Sequence, residues 1–508
     1  MISLIWGRYS MSRKPFVFLY DVDLTPPSVQ DKTADADRLT NELKKNGLDN
    51  VTIPLNILRR LPEEIRRNQF RLRLVIGFHG DNFSLLDIGN DKIYGLALDI
   101  GSTNIECSLF DLDTEEKTDV IAIENPQMRF GSDVLSRVQH VMTDSPGNLT
   151  DELLEGINTL TSAICEKNSV SPENIYAVTV AGNTIMTHFF LGLDVRNIPV
   201  SPYTPAVNRG VFLDAREAGL QINQNAVIYV LPNSGSYVGG DIISGIVYSG
   251  LYKEIDPVLF IDVGTNVEVT LGCSDWIMVG AGAAGPALEE GIASIGAKAK
   301  PGTICGVKIN RTNKKLHIDA IAGEEPSGIC GSGLIELISE LYLSNVIDQS
   351  GKFIEAENGV MERNGEKGYL LFSSDHKDLF LTEHEIQNFL LSKAAMFSFL
   401  YVFVRSLGLT FRDINKVYIA GALGCGINIE NAITIGLLPD MPRDKFIPLG
   451  NSSLGGAEKI LLDQGLVGQI EDLLPMITYS EMNENQDLMN VLQGAMFIPH
   501  TEPDLLKG

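Results

Sequence analysis

The sequence predicts an α/β protein of two similar lobes, preceded by a small α+β domain. Three observations carry that expectation. One phrase is written twice, as "LALDIGSTNIECSLFDLD" at Leu96–Asp113 and as "LFIDVGTNVEVTLGCSD" at Leu259–Asp275. After each copy, strands alternate with helical stretches, the pattern of an α/β chain with an internal repeat. The first 90 residues differ from the rest, with a Pro-marked turn, an amphipathic helix and a concentration of arginine.

Taken in order, "DLTPPSVQDKTADADRLTNELKKNG" reads as a turn and then a helix. Asp31 or Thr33 is the expected cap, and Asp35, Leu39 and Leu43 have helical spacing. A short helix and a strand follow in "VTIPLNILRRLPEEIRRNQFRLRLVIGFHG". Arg59, Arg60, Arg66, Arg67, Arg71 and Arg73 gather there and read as a solvated charged face, with partner docking as the alternative. From Tyr94 the strands "YGLALDI", "IECSLFDL" and "DVIAIEN" succeed one another with tight turns. A helix over 151–168 leads to the strand "IYAVTVAG". The second copy repeats this with "VLFIDVG", "VEVTLG" and "WIMVGAG", and "KVYIAGALG" comes after a long helical stretch. The expected division is a small domain over 1–90 and a two-lobed domain over 91–508. Lobe one covers about 91–235 with the C-terminal segment, and lobe two about 236–470.

Composition excludes several classes. Forty Lys and Arg against 65 Asp and Glu leave a formal charge of −25. Nucleic acid and anionic membrane are therefore not expected partners, since both need basic surfaces. The six cysteines, Cys107, Cys165, Cys273, Cys305, Cys330 and Cys425, form no CxxC and no close group. No zinc site, iron–sulfur cluster or disulfide framework is expected, and free thiols fit a cytoplasmic location. The N-terminus has no cleavage pattern of a signal peptide. The most apolar helical run, Ala394–Val404, is shorter than the ~20 residues a membrane span needs, so a core helix is expected.

The repeated phrase carries the chemistry. A strand ends in Asp, then come glycine, a hydroxyl and Asn, and a second strand returns. Gly101 and Gly264 permit a sharp turn whose successive amides form a concave anion site. Ser102, Thr103 and Thr265 add hydroxyl donors, with Asn104 and Asn266 beside them. Asp99 and Asp262 would repel phosphate by themselves, so they make sense holding Mg²⁺ through water. Two such turns facing each other would clamp a triphosphate, and the pair says far more than either copy.

Three segments invite other readings. "GAGAAG" at Gly280–Gly285 matches GxGxxG, but Pro286 follows at once and no acid stands where a dinucleotide fold needs one, so close backbone packing is expected. His188 is expected to be a satisfied core histidine, and Cys330 a small buried residue between glycines. No GxxxxGK[ST] segment exists.

The two turns resemble the phosphate loops of the actin, sugar-kinase and heat-shock-chaperone ATPase superfamily, whose fold is a pair of ribonuclease-H-like lobes. "VLPNSGSYVGGDIISGI" and "GNSSLGGAEKILL" resemble its two interdomain helices, and "VYIAGALG" its adenosine turn. The match narrows with "NPQMRFGSDVLSRVQ", "VAGNTIMTHFFLGLD", "GAAGPALEEGI", "PSGICGSGLIELISELYLSNVIDQSGKF", "AITIGLLPD" and "MFIPHTEPDLL". In this order they resemble the reductive activators of corrinoid proteins, from about Phe16 onward, with 16–90 resembling that family's linker and middle domain. The resemblance implies ATP and Mg²⁺ as cofactors and a corrinoid protein of a methyltransferase system as partner. It implies an ATPase that couples nucleotide to reduction of Co(II). Asp99, Gly101, Ser102, Thr103, Asn104, Gly264, Thr265 and Asn266 would hold phosphates and metal. Gly331, Gly333, Gly421, Ala422 and Gly424 would lie toward the nucleoside. Asp262, Asp241 and Glu268 are the candidate catalytic acids, the last two for orienting water.

The chain departs from the family pattern in three places. It shows no four-cysteine ferredoxin domain, so electrons are expected from a separate donor such as a ferredoxin. The second turn reads GTNVE with Val267 where the family has GTNGE, and the adenosine turn reads AGALG with Ala422 and Leu423 where it has AGGFG. Two alternatives stay open, a non-hydrolysing nucleotide- or corrinoid-protein-binding scaffold and a small-molecule kinase of the same superfamily. So does the oligomeric state, a homodimer included.

Overall fold

The computed structural model describes residues 13–508 except 144–146, 265–266, 283–290, 355–358, 364, 376, 422–425 and 483–485. The chain divides into two compact units. The first holds residues up to Tyr248 together with Ser452–Met476, and the second holds Ser249–Asn451 together with Ile477–Gly508.

The first unit begins with strands β1 (Val17–Asp23), β2 (Val51–Thr52), β3 (Arg71–His79) and β4 (Asn82–Ile88), in the order β1-β3-β4-β2. Helices Asp35–Lys45 and Leu55–Arg67 cover one face of this sheet. Their apolar stripes, Leu39 and Leu43, then Ile57, Leu61 and Ile65, pack on Leu72, Leu74, Ile76 and Leu85. The expected cap is not used, because the helix begins after Ala34, which makes no side-chain cap. Asp31 instead pairs with Arg38 at 2.5 Å and accepts from the Thr33 amide and hydroxyl. Four of the six arginines are matched locally: Arg60 with Asp87, Arg66 with Asp35, Arg71 with Asp23, and Arg73 with Asp21 and Asp91.

This sheet is not a separate body. Phe16 and Phe78 share an aromatic cluster with Phe212 and Tyr229, ring centroids 4.6–6.0 Å apart. Tyr176 also donates to Asp87 at 2.6 Å.

The larger sheet of the first unit consists of β5 (Tyr94–Ile100), β6 (Asn104–Asp111), β7 (Glu116–Glu124), β8 (Ile175–Gly182), β9 (Val211–Asp214) and β10 (Val227–Val230). Its order is β7-β6-β5-β8-β10-β9. Helix Gly147–Lys167 presents Leu149, Leu153, Ile157, Leu160 and Ile164 to the apolar side chains of β5, β6 and β8. Helix Ser452–Leu462 packs on the sheet as well: Thr179 donates to the Ala457 carbonyl at 2.9 Å, and a methyl at Gly95 would press on Leu461 at 3.1 Å.

The second unit repeats the plan with β11 (Val258–Val263), β12 (Val267–Gly272) and β13 (Ile277–Gly282). Strands β14 (Thr303–Ile309), β15 (Leu316–Ala320) and β16 (Gly328–Ile329) form one small sheet. Strands β17 (Val360–Arg363), β18 (Glu366–Ser373) and β19 (Asp378–Thr382) form another. The main sheet is completed by β20 (Lys416–Ala420), β21 (Phe446–Gly450) and β22 (Ile477–Tyr479), in the order β21-β20-β11-β12-β13-β22. In both units three antiparallel strands form a meander, and the fourth and fifth lie parallel to the first on its other side. That shared order, not sequence identity, is the repeat.

Two expectations need correction. The division drawn at 235 and 470 differs from the compact units, since 236–248 and 452–476 belong with the first unit and 477–508 with the second. The apolar run at 394–404 belongs to a 24-residue helix, Glu383–Ser406, which is long and apolar enough to cross a membrane by length and composition. What identifies it as a core helix is packing rather than length. Ile386, Phe389, Leu390, Ala394, Phe397, Leu400 and Phe403 are fully buried in the second unit's core. Lys393, also buried, donates to the carbonyls of Ala495, Phe497 and Pro499. Gly280 and Gly282 of the GxGxxG segment lie where a methyl would strike Phe403 and Phe399 of this helix, so they are packing glycines. The remainder of that segment lies outside the described residues.

Candidate functional site

In the first unit, β5 delivers Asp99 to the end of the sheet. Asp99 stands opposite Glu106 on β6 and beside Ala181 on β8. The turn Gly101–Thr103 follows, and its three carbonyls are all engaged. Asn125 donates through its side chain to Gly101 O at 2.8 Å and through its amide to Thr103 O at 2.8 Å. Arg137 donates to Ser102 O. In a trans peptide the N–H points opposite to the C=O. Gripping these carbonyls from one side therefore turns the amides of Ser102 and Thr103 the other way. Among the described residues those two amides donate to no protein acceptor. Two adjacent free amides on a half-buried turn suit a phosphate, so the residues fit the group that the turn was expected to hold.

Two helices close on Asp99. Ser453, in the first turn of helix Ser452–Leu462, donates to Asp99 Oδ1 at 2.7 Å, and its own carbonyl accepts from Ser244 at 2.6 Å. Gly456 fits directly against Ser244, with no room for a Cβ. Helix Gly240–Ser249 brings in Asp241, whose Oδ1 accepts from the Ile242 amide at 2.8 Å. Gly239 is equally tight, since a Cβ there would lie 2.6 Å from Asp241 Oδ1 and 2.5 Å from the Asn183 Cα. Asp241 keeps some solvent contact but is densely surrounded. Burial pushes its carboxyl up to about 7; the amide hydrogen bond opposes this, and the negative charge of Asp99 adds to it. Desolvation thus outweighs the favourable helix N-terminus.

In the second unit, Asp262 stands opposite Glu268 on β12 and beside Ala420 on β20. This pairs two of the predicted acids on one face of the sheet. Gly264 is exposed, with open space around its α-carbon. Gly421 bridges to Val263 with φ of +77° and has no room for a side chain between Val263 O and Asp262 Oδ1. Thr265, Asn266, Ala422 and Gly424 lie outside the described residues. Gly331 and Gly333 open helix Gly331–Leu343. Gly333 is required by packing, since a Cβ would sit 2.5 Å from Ile304 O. A Cβ added at Gly426 would lie at ordinary contact distance, 3.6 Å, from Ser332 Oγ, so Gly426 stands beside the start of this helix. His188 is buried, hydrogen-bonded to Thr184 O and to the amides of Ala206 and Val207, as a core histidine. Cys330 is buried and its Sγ lies 3.2 Å from Ser332 Oγ.

Sequence reasoning gathered the turn and strand residues but missed Ser453, Asn125 and Arg137. All three sit in segments singled out for their resemblance. Asn125 is marked by the Pro126 that follows it, and Ser453 by its place at the start of a helix. For Arg137 no signal existed, because an arginine on an amphipathic helix ordinarily faces solvent.

The duplicated sheet, each copy ending in an Asp-x-Gly turn, defines the class of two-lobed actin-like ATPase folds. Residues 256–508 match the model described as the C-terminal, ASKHA domain of RACo, residues 94–254 the RACo middle region, and residues 8–92 the RACo linker region. The chain belongs to the RACo family. A solved structure titled reductive activator for corrinoid, iron-sulfur protein is 35% identical, with a TM-score of 0.90 over 98% of this chain and 81% of that one. The corrinoid activation enzyme RamQ of Eubacterium limosum is 29% identical, over 76% of this chain and 67% of its own length. A [Co(II) methylated amine-specific corrinoid protein] reductase of Methanosarcina barkeri is 25% identical, over 76% and 73%. The linker model covers residues 8–92 by itself and the middle-region model 94–254, so the reading of 16–90 as both linker and middle domain needs correction: the middle region lies wholly after it.

Proposed function

We propose that this chain is an ATP-dependent activator of a corrinoid protein in a methyl-transfer system, coupling ATP binding and hydrolysis to the one-electron reduction of Co(II). What supports this most is likeness to a reductive activator along nearly the whole chain. The free amides of the first turn add physical support. The amides of Ser102 and Thr103 would bind phosphate oxygens. Asp99 and Asp262 would hold Mg²⁺ through water, and the metal when bound would neutralise phosphate charge. Gly264, Thr265 and Asn266 would serve the second turn, and Gly421, Ala422 and Gly424 the nucleoside. Asp241, with its carboxyl near neutrality, and Glu268, opposite Asp262, are the acids suited to orient water and take its proton.

The electron would come from a separate donor such as a ferredoxin. ATP would act through its different affinity for two states of the activator–corrinoid complex. The test is absorbance of a corrinoid protein poised as Co(II), with reduced donor and this protein, with and without Mg·ATP. Conversion to Co(I), or its capture as methyl-Co(III), that requires ATP is the expected result. Conversion that ignores ATP would sink the reading, nucleotide binding without turnover would favour a scaffold, and a phosphorylated small molecule a kinase.

A further inference from the structure

Beneath the first turn lies a cation with no acid paired to it among the described residues. Arg137, on helix Val134–Thr143, is fully buried. Its Nε donates to Gly131 O at 3.0 Å, one terminal nitrogen approaches Gln127 Oε1 at 3.4 Å and Met186 Sδ at 3.5 Å, and the other donates to Ser102 O. Every one of these partners is neutral. Among the described residues no carboxylate forms an ion pair with it. Asp133 is the acid whose field reaches it, but its oxygens are occupied by the amide and hydroxyl of Ser136. A buried charge is costly unless an opposite charge compensates it. Burial accordingly pulls the guanidinium down to about 10.

The compensating charge has an evident place. Arg137 holds the Ser102 carbonyl, and the same peptide group carries the Thr103 N–H, which points the opposite way and is free. The cation polarises that peptide toward whatever the N–H meets. We propose that Arg137 is a positioning residue whose counter-ion is the ligand: the buried guanidinium is completed by a phosphate bound at the amides of Ser102 and Thr103. The inference rests on reading this turn as a phosphate site. It adds that anion affinity there depends on a charge the anion never touches.

The discriminating variant is Gln127→Glu, made in the whole protein. It places a carboxylate where Gln127 Oε1 already faces the guanidinium, and so supplies an internal counter-ion. Calorimetry should show Mg·ATP binding weakened at least fivefold with adenosine binding unchanged. If Arg137 only braces the loop, the tighter pair keeps the brace and ATP affinity is unchanged, which overturns the proposal. Should Gln127→Glu disturb folding, Arg137→Lys against Arg137→Gln decides. Charge retained in Lys should keep Mg·ATP affinity within threefold, while Gln should lose tenfold; equal losses overturn the proposal. Wild-type protein that binds no Mg·ATP would end the functional reading instead. Inorganic triphosphate then tests the anion site alone, where a Tm rise abolished by Gln127→Glu sustains the inference and no rise ends it.

Discussion

In the first unit Asp99 lies opposite Glu106 and beside Ala181; in the second Asp262 lies opposite Glu268 and beside Ala420. One residue further, each fourth strand sets a glycine against the first, Gly182 beside Ile100 and Gly421 beside Val263. The register is copied; the requirements on the glycines are not. Gly182 has ordinary backbone angles and lacks only room, its Cβ position being 2.8 Å from Ile100 O. Gly421 lacks room and also needs a positive φ. The carboxylates differ as well. Asp99 is held by Ser453 and shares its surroundings with Asp241, both brought by helices that return to the first sheet. Sheet topology decides where an acid stands, and the segments that come back to it decide its chemistry.

The largest expected effect tests the glycines. Gly421→Ala meets immovable backbone and a disfavoured φ, so it should destabilise the second unit by on the order of 3 kcal/mol. Gly182→Ala should cost the first unit about half as much. Chemical denaturation of the two variants, read with a probe in each unit, checks this. Equal losses would remove the conformational part of the difference.

Next come the carboxylates. Asp262→Ala and Asp99→Ala should each weaken Mg·ATP binding tenfold or more, about 1.4 kcal/mol. Calorimetry that finds one of them unchanged would take that turn out of the site and break the functional equivalence of the two copies.

The smallest effect concerns Asp241. Its carboxyl is raised from an ordinary 3.8 to about 7, so the folded state holds a proton that the unfolded chain has lost. This contribution is fully present below about pH 4 and is lost as pH rises through 7. In metal-free protein, Asp241→Asn should therefore be more stable than wild type at pH 8, with the gain shrinking toward pH 5. A gain independent of pH would mean that Asp241 titrates normally.

Much of this was legible beforehand because strand patterns are local. Strand limits at Tyr94–Ile100, Ile175–Gly182 and Val267–Gly272 agree with the alternation and turn signals in those segments. The helix cap failed because Asp31 had a stronger option, a guanidinium one turn into the helix. The apolar run at 394–404 marked only the most buried stretch of its helix, whose hydrogen bonding begins at the Thr382–Glu385 capping box.

By itself the sequence determined the repeated Asp-x-Gly turn, the alternation of strands and helices, and the residue types suited to phosphate and metal. These depend on side-chain periodicity and on what glycine permits, both written within a few consecutive residues. Only the tertiary structure decided that Asp241 shares the field of Asp99, that Ser453 holds it from more than 350 positions away, and that Arg137 lies buried under the turn with no ion-paired carboxylate among the described residues. Burial, and the charge balance that burial makes costly, arise only when distant segments meet, so no window of sequence contains them.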